Sequence, residues 1–380
     1  MSAAALIREI EGLLRGHTDR HDEAVILERL EAADAATLEA TLMGLDLRRL
    51  VSDVDDRRRG PKHRTALFRL LFEDRLADQS IALRAKWIDA LSHGRTSSLD
   101  ERGIRAILLG TRGVELTRLK VAIDRGEDHR HLVHVIHSDV DDETIRAELI
   151  RHIASEGRAV PRAGRKILSD IDDTFYCNWK DRRFPSKTVY PGVRAFYGAM
   201  STDGDVVFVT ARPEDRPGYV EASTHATLRE HGILAPVVLA GSFLKLHSHA
   251  AMADEKRRSF ERFAELYPEY ELVFVGDSGQ GDAQFGAEIR EAFAEQVPAV
   301  LIHDVVATPA PERVRWAQRG VHFFDTYAGA ARRAHALGLL GVDALREVFT
   351  RAREELRGLA FETEAMLRER EGELDRDTAE

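Results

Sequence analysis

Lys166-Ile-Leu-Ser-Asp170-Ile-Asp172-Asp173-Thr174 is the stretch whose reading decides the fold. An apolar run passes straight into three carboxylates with no basic residue between them. Asp170 and Asp172 are two apart, so in strand register both side chains point the same way. Doubly wound sheets bind ligands beyond the C-terminal ends of their strands, where such a cluster would lie. Close carboxylates repel one another unless protonation or a divalent cation relieves them. Hard cations such as Mg²⁺ take carboxylate oxygens, keep several waters and bridge to phosphate. A pair of this kind offers one Asp as nucleophile and a second as general acid/base.

Working outward, short apolar runs alternate with amphipathic stretches after Arg162. The runs are Lys166–Ile171, Asp205–Val209, Val237–Ala240, Glu271–Val275, Val297–Ile302 and Val321–Phe324. Between them lie helical patterns such as Arg216–Glu230, Met252–Leu266, Asp282–Gln296 and Thr326–Leu337. This alternation predicts an α/β fold, a Rossmann-like doubly wound parallel sheet. Further signals stand at successive strand ends. Val206–Val209 runs into Thr210-Ala-Arg212-Pro213, a hydroxyl and a guanidinium where phosphate oxygens could sit. Glu271–Val275 runs into Gly276-Asp277-Ser278-Gly279-Gln280-Gly281-Asp282, a Gly-rich turn with two more carboxylates. Lys256 lies between them at a helix start, a cation able to offset that charge; Lys245 is its rival.

Carboxylate strand end, hydroxyl strand end, lysine and acidic strand end, in that order, resemble the haloacid-dehalogenase superfamily of phosphohydrolases. The wording Ser-Asp-Ile-Asp-Asp-Thr, Thr-Ala-Arg-Pro and Gly-Asp-Ser-Gly-Gln-x-Asp is similar to one branch, the catalytic domain of the actin-patch-associated phosphatidate phosphatases. The resemblance spans about Arg162 to Leu340. It implies a Mg²⁺-dependent phosphomonoester hydrolase working through an aspartyl-phosphate. Asp170 would be the nucleophile and Asp172 the general acid/base. Thr210 would hold the phosphoryl group, and Lys256 would stabilise nucleophile and phosphoenzyme. Asp170, Asp172, Asp277 and Asp282 would form the metal site, Asp172 through its carbonyl and Asp282 from a second layer or as a ligand. Thr174, Arg212 and Ser278 would meet the substrate. The connections Thr174–Asp205 and Thr210–Lys256 leave no room for a cap domain, so a large substrate fits, such as a lipid head group at a membrane surface. The stretch Phe175-Tyr-Cys-Asn-Trp179 followed by Lys180-Asp-Arg-Arg183 reads as a flap or a solvated loop.

The string occurs twice more, as Ser52-Asp-Val-Asp-Asp56 and Ser138-Asp-Val-Asp-Asp142. The first leads into Arg57-Arg-Arg59 and reads as a loop. The second reads as a helix cap before Ile145. Both fall in residues 1–160, where apolar residues recur at helical spacing and predict an all-α domain of about six helices. Start signals are Asp22, Ser98 with Glu101, and Asp139 or Asp141. Glu156–Gly164 reads as the linker to a domain over 161–340. Residues 341–380 read as one long amphipathic helix, packing on a neighbour or a second copy, with a charged frayed tail.

Composition bounds the rest. The 380 residues carry 55 Lys and Arg against 65 Asp and Glu, a formal charge of −10. That acidity argues against nucleic-acid binding. No apolar run is long enough to cross a bilayer, and the N-terminus has no signal-peptide pattern. A cytoplasmic protein is expected, peripheral to membranes if its substrate is lipid. The single Cys177 excludes an intrachain disulfide. His129, His131, His134 and His137 read as packing residues. Two other readings stay open: a phosphatase for a phosphoprotein, nucleotide or nucleic-acid end, and a non-catalytic interaction protein acting through its helical half.

Overall fold

The structure is a computed structural model that describes residues 1–16, 18–126, 130–210, 219–233, 236–240, 249–279 and 281–379. Within these, the side chains of 210, 219–223, 240 and 249–253 stand outside the description. Two compact units divide the chain between Val160 and Pro161.

The first unit is all-α. It has ten α-helical segments among the described residues, more than periodicity suggests because several are short. Two helical stretches end in π turns, Leu70–Asp74 and Val135–Asp139. The caps fall close to the predicted residues but not on them. Asp19 caps Arg20–Ala32, with Asp22 at the third helical position. Ser97 caps Ser98–Leu109, with Asp100 completing the box. Asp142, not Asp139 or Asp141, caps Glu143–Ala159 by accepting the N–H groups of Thr144 and Ile145. A cap must leave helical φ/ψ while its side chain reaches forward two or three residues, and spacing alone does not separate neighbouring Asp residues.

The two acidic strings of this unit do the same structural work. Val54 and Val140 are fully buried plugs. The next Asp in each string donates its backbone N–H to a buried Glu at the fourth position of a boxed helix. Asp55 donates to Glu23 at 3.4 Å, and Asp141 to Glu101 at 2.9 Å. The unit ends with Glu143–Ala159, so the link to β1 is shorter than Glu156–Gly164.

The second unit carries a six-stranded parallel sheet in the order β3-β2-β1-β4-β5-β6. The strands are β1 Gly164–Ser169, β2 Val206–Thr210, β3 Val237–Ala240, β4 Tyr270–Asp277, β5 Val300–His303 and β6 Val321–Phe324. Continuous apolar runs form them because helices cover both faces of such a sheet. β1 ends at Ser169, so Asp170 stands just past the strand. β5 begins three residues later than its apolar run. Val297 still closes the preceding helical segment through Phe293, and Pro298 has no N–H for a ladder. The order reverses between β1 and β4, which places the topological switch point at Asp170.

The C-terminal stretch forms two helices where one was expected. Val342–Arg357 stops at Gly358, and Glu364–Thr378 restarts from a Thr363 cap. Val348, Ala352 and Leu356 are buried in this unit's own core, so the apolar stripe is occupied within the chain. The charged end is helical to Thr378, where Thr326 donates to Asp377 at 2.6 Å. Among the described residues no helix is long and apolar enough to cross a membrane.

Candidate active site

The site grows from the ends of β1 and β4. Asp170 donates its backbone N–H to the Val275 carbonyl at 2.9 Å, which fixes the chain leaving β1 against β4. Lys256 comes from the helix His249–Leu266, well inside it and not at its first turn. Its Nζ lies 3.1 Å from Asp170 Oδ1 and 2.6 Å from Asp282 Oδ1. The Phe274 and Phe285 rings flank this ammonium at 5.4 and 5.6 Å. Asp282 opens the helix Asp282–Ala292, and its other oxygen accepts the Asp277 N–H at 3.3 Å. That carboxylate sits where a side chain on Gly276 would be: a Cβ there would meet Asp282 Oδ2 at 2.4 Å.

Asp277 is fully buried. Its Oδ1 accepts the Gly279 N–H at 2.6 Å, while its Oδ2 has no hydrogen-bond partner. Asp170, Asp277 and Asp282 each offer a carboxylate oxygen, all within 4.8 Å of one another. Burial pushes the Asp170 carboxyl up to about 7; Lys256 opposes this and the Asp282 and Asp172 charges add to it. Burial, then the charges of Asp282 and Asp170, push Asp277 up to about 9. Burial works against the Lys256 ammonium, but Asp170 and Asp282 outweigh it and raise its pKa. A partnerless buried carboxylate oxygen amid other carboxylates suits a hard divalent cation, which supplies the charge that protons otherwise provide. The residues present therefore fit a metal ion.

The other two carboxylates of the β1 string diverge. Asp172 is not in the three-carboxylate cluster; its Oδ1 accepts from Asn178 Nδ2 at 2.7 Å. Asp173 takes a left-handed backbone conformation, φ 57°, and is fully buried. Its carboxylate accepts N–H groups from Asn178 (2.8 Å), Trp179 (3.1 Å) and Lys180 (2.5 Å), winding the following segment into a fixed loop. The Lys180 stem reaches the acidic turn, because a Cβ on Gly279 would lie 3.0 Å from Lys180 Cγ.

Behind this loop is a buried polar network. Arg183 makes a two-pronged pair with Asp181, which also accepts from Tyr190 Oη at 2.9 Å. Arg183 lies 3.2 Å from His303 Nε2, and His303 Nδ1 lies 2.9 Å from the Asp173 carbonyl. A guanidinium can only donate, so His303 accepts at Nε2 and carries its proton on Nδ1. Burial first, and the Arg183 charge second, hold the His303 pKa down at about 4.

The structure thus brings together Asp170, Lys256, Asp277 and Asp282, with Asp172 beside them on the same strand exit. Thr174 is fully buried and its carbonyl accepts from Tyr327 Oη at 2.7 Å. The Ser278 hydroxyl donates to Asp304 at 2.9 Å and accepts the N–H groups of Val305 and Val306, which ties down the loop after β5. Thr210 ends β2, but its side chain, Arg212, Lys245 and Gln280 lie outside what is described. Sequence reasoning missed Asn178, Asp173's turn-forming role and His303. His303 had a usable signal, since it is the last residue of a parallel strand.

No curated protein and no solved structure matches the chain. Residues 165–304, a little over a third of the chain, match the model of the phosphatidate phosphatase APP1 catalytic domain. Asp170, Asp172, Asp173, Asn178, Lys256, Asp277, Asp282 and His303 all fall in that span, and the match makes this chain an enzyme, a phosphoric monoester hydrolase of the phosphatidate phosphatase kind.

Proposed function

We propose that this protein is a Mg²⁺-dependent phosphatidate phosphatase of haloacid-dehalogenase type, without a cap, that works through an aspartyl-phosphate on Asp170. The observation that carries this reading is the pairing of Asp170 with Lys256 beside the partnerless Asp277 oxygen, at the switch point of the sheet. Asp170 attacks phosphorus; Lys256 neutralises the charge of its carboxylate and of the phosphoryl group arriving there. Asp172 gives its proton to the leaving glycerol oxygen and then takes one from the water that cleaves the acyl phosphate. Asn178 orients Asp172 for both transfers. Asp282 orients Lys256, and Thr210 holds the phosphoryl oxygens from the end of β2. Asp170 and Asp277 would hold the Mg²⁺, which supplies positive charge to a phosphoryl group in transfer. The absence of any folded insert between β1 and the Val193–Met200 helix supports an open site.

The test is phosphate release from phosphatidate vesicles and from a soluble aryl phosphate, wild type against Asp170→Asn. The reading expects Mg²⁺-dependent release from both, abolished by the substitution. Release from the aryl ester alone would remove the lipid assignment and keep the chemistry. Full activity in folded Asp170→Asn would remove the nucleophile.

A further inference from the structure

Trp179 is 56% exposed, although it stands only two residues past a buried stretch from Ile171 to Cys177. A large aromatic held in water on a loose tail has little meaning. Here the backbone is fixed, because the Trp179 N–H donates to the buried Asp173 carboxylate at 3.1 Å from either oxygen. The indole is therefore presented, not merely uncovered. Its neighbours are cations: Lys180, Arg182 and Lys187 are exposed on the same loop, and Lys187 Nζ stands 4.6 Å over the Tyr176 ring. The one acid between them, Asp181, is buried and taken up by Arg183 and Tyr190. The loop thus shows positive charge to solvent in a chain whose formal charge is −10.

A second apolar residue lies at the same edge of the sheet. Val306 is 51% exposed on the loop after β5, which Ser278 holds through the Val305 and Val306 N–H groups. The Lys180 stem abuts Gly279 in the adjoining turn. One series of contacts thus runs from the Trp179 loop through the acidic turn to Val306. Trp at an apolar–polar boundary and Lys or Arg around it are what an interfacial membrane surface recruits.

We propose that the Trp179–Lys187 loop, with Val306 beside it, is the face on which this enzyme docks onto anionic phospholipid bilayers. The indole enters the headgroup layer, and Lys180, Arg182 and Lys187 meet lipid phosphates. The proposal rests on the lipid-phosphate reading of the site and extends it, because it sets the mouth of the site against the membrane plane.

The experiment is co-sedimentation of the full chain with vesicles of phosphatidylcholine alone and of phosphatidylcholine mixed with phosphatidylserine. Phosphatidylserine is not a phosphomonoester, so binding is read without turnover. Wild type is expected to bind the mixed vesicles, more weakly as salt rises. Trp179→Ala should weaken binding about tenfold and Trp179→Phe should restore most of it. The Lys180→Gln, Arg182→Gln pair removes two positive charges and should weaken it by roughly one to two orders of magnitude, at about fivefold per charge. Aryl phosphate turnover by Trp179→Ala reports that the variant is folded. Wild-type binding by Trp179→Ala, or equal binding to neutral vesicles, overturns the proposal. So does a folded, aryl-ester-cleaving wild type that ignores both vesicles while Trp179→Ala slows a phosphopeptide, which would make the loop a protein-binding face. A chain that binds mixed vesicles through Trp179 yet releases no phosphate from phosphatidate keeps the docking face and removes the proposed function.

Discussion

Ser138-Asp-Val-Asp-Asp142 and Ser169-Asp-Ile-Asp-Asp173 differ in one conservative residue, yet one caps a helix and the other opens the candidate active site. They share two features. The middle apolar residue is a buried plug, Val140 or Ile171, and the last Asp accepts backbone N–H groups. What differs is the element before the string and the partners it meets. Asp139 ends a π turn and has basic partners nearby, Arg130 at 3.8 Å and His134 at 3.5 Å. Asp170 leaves a central parallel strand and meets a shared lysine and two more buried carboxylates. Local sequence therefore specifies the turn, and position in the sheet specifies the chemistry.

The comparison is most easily broken at its first Asp. Asp170→Asn should lower phosphate release by about four orders of magnitude or more, as loss of a nucleophile does. Asp139→Asn should leave release within about twofold, measured on the same aryl ester; a matching loss there would end the distinction. Lys256→Met comes next, with a fall in kcat of about 10²- to 10³-fold, since it removes charge stabilisation while the fold keeps its shape.

The third prediction concerns acid. His303 ties the Asp173 carbonyl into the core and is neutral there, with a pKa of about 4 against an ordinary 6.5. Its folded pKa is depressed, and for a base this means the unfolded chain takes up the proton first. Its contribution is thus present above about pH 6.5 and is lost as pH falls through about 4. Full loss is on the order of 3 kcal/mol. His303→Gln should flatten the fall in stability between those pH values in urea titrations, and an unchanged slope would argue against the neutral histidine. Smallest is the difference at the last Asp. Asp142→Ala removes a surface cap and should cost about 1 kcal/mol. Asp173→Ala strands several buried N–H groups and should cost about 3 kcal/mol. Equal costs in the same titration would mean that the strand-exit loop is not built on Asp173.

The sheet was legible because strands buried on both faces are written as unbroken apolar runs; Val237–Ala240 and Val321–Phe324 match to the residue. The carboxylates beyond β1 and β4 were legible for the same reason, since a strand that ends in acid names its own ligand edge. Side-chain direction was not legible. Nothing in Ile-Asp-Asp-Thr says that Asp173 turns into a left-handed conformation and faces inward, while Asp172 is met by Asn178. The helical unit blurred for a different reason: helices of seven residues, such as Leu47–Asp53 and His63–Arg69, hold too few turns for periodicity to mark their ends. The C-terminal stripe read as one helix because Gly358 interrupts its backbone without interrupting its pattern of apolar residues.

Gly276 carries a consequence for how this enzyme can vary. The position lies inside a central strand, where substitution catalogues ordinarily favour Val or Ile over Gly. Even alanine would push the Asp282 carboxylate off Lys256, so a methyl group here would be felt as a lost ion pair. In a saturation library selected for turnover, position 276 should admit glycine alone.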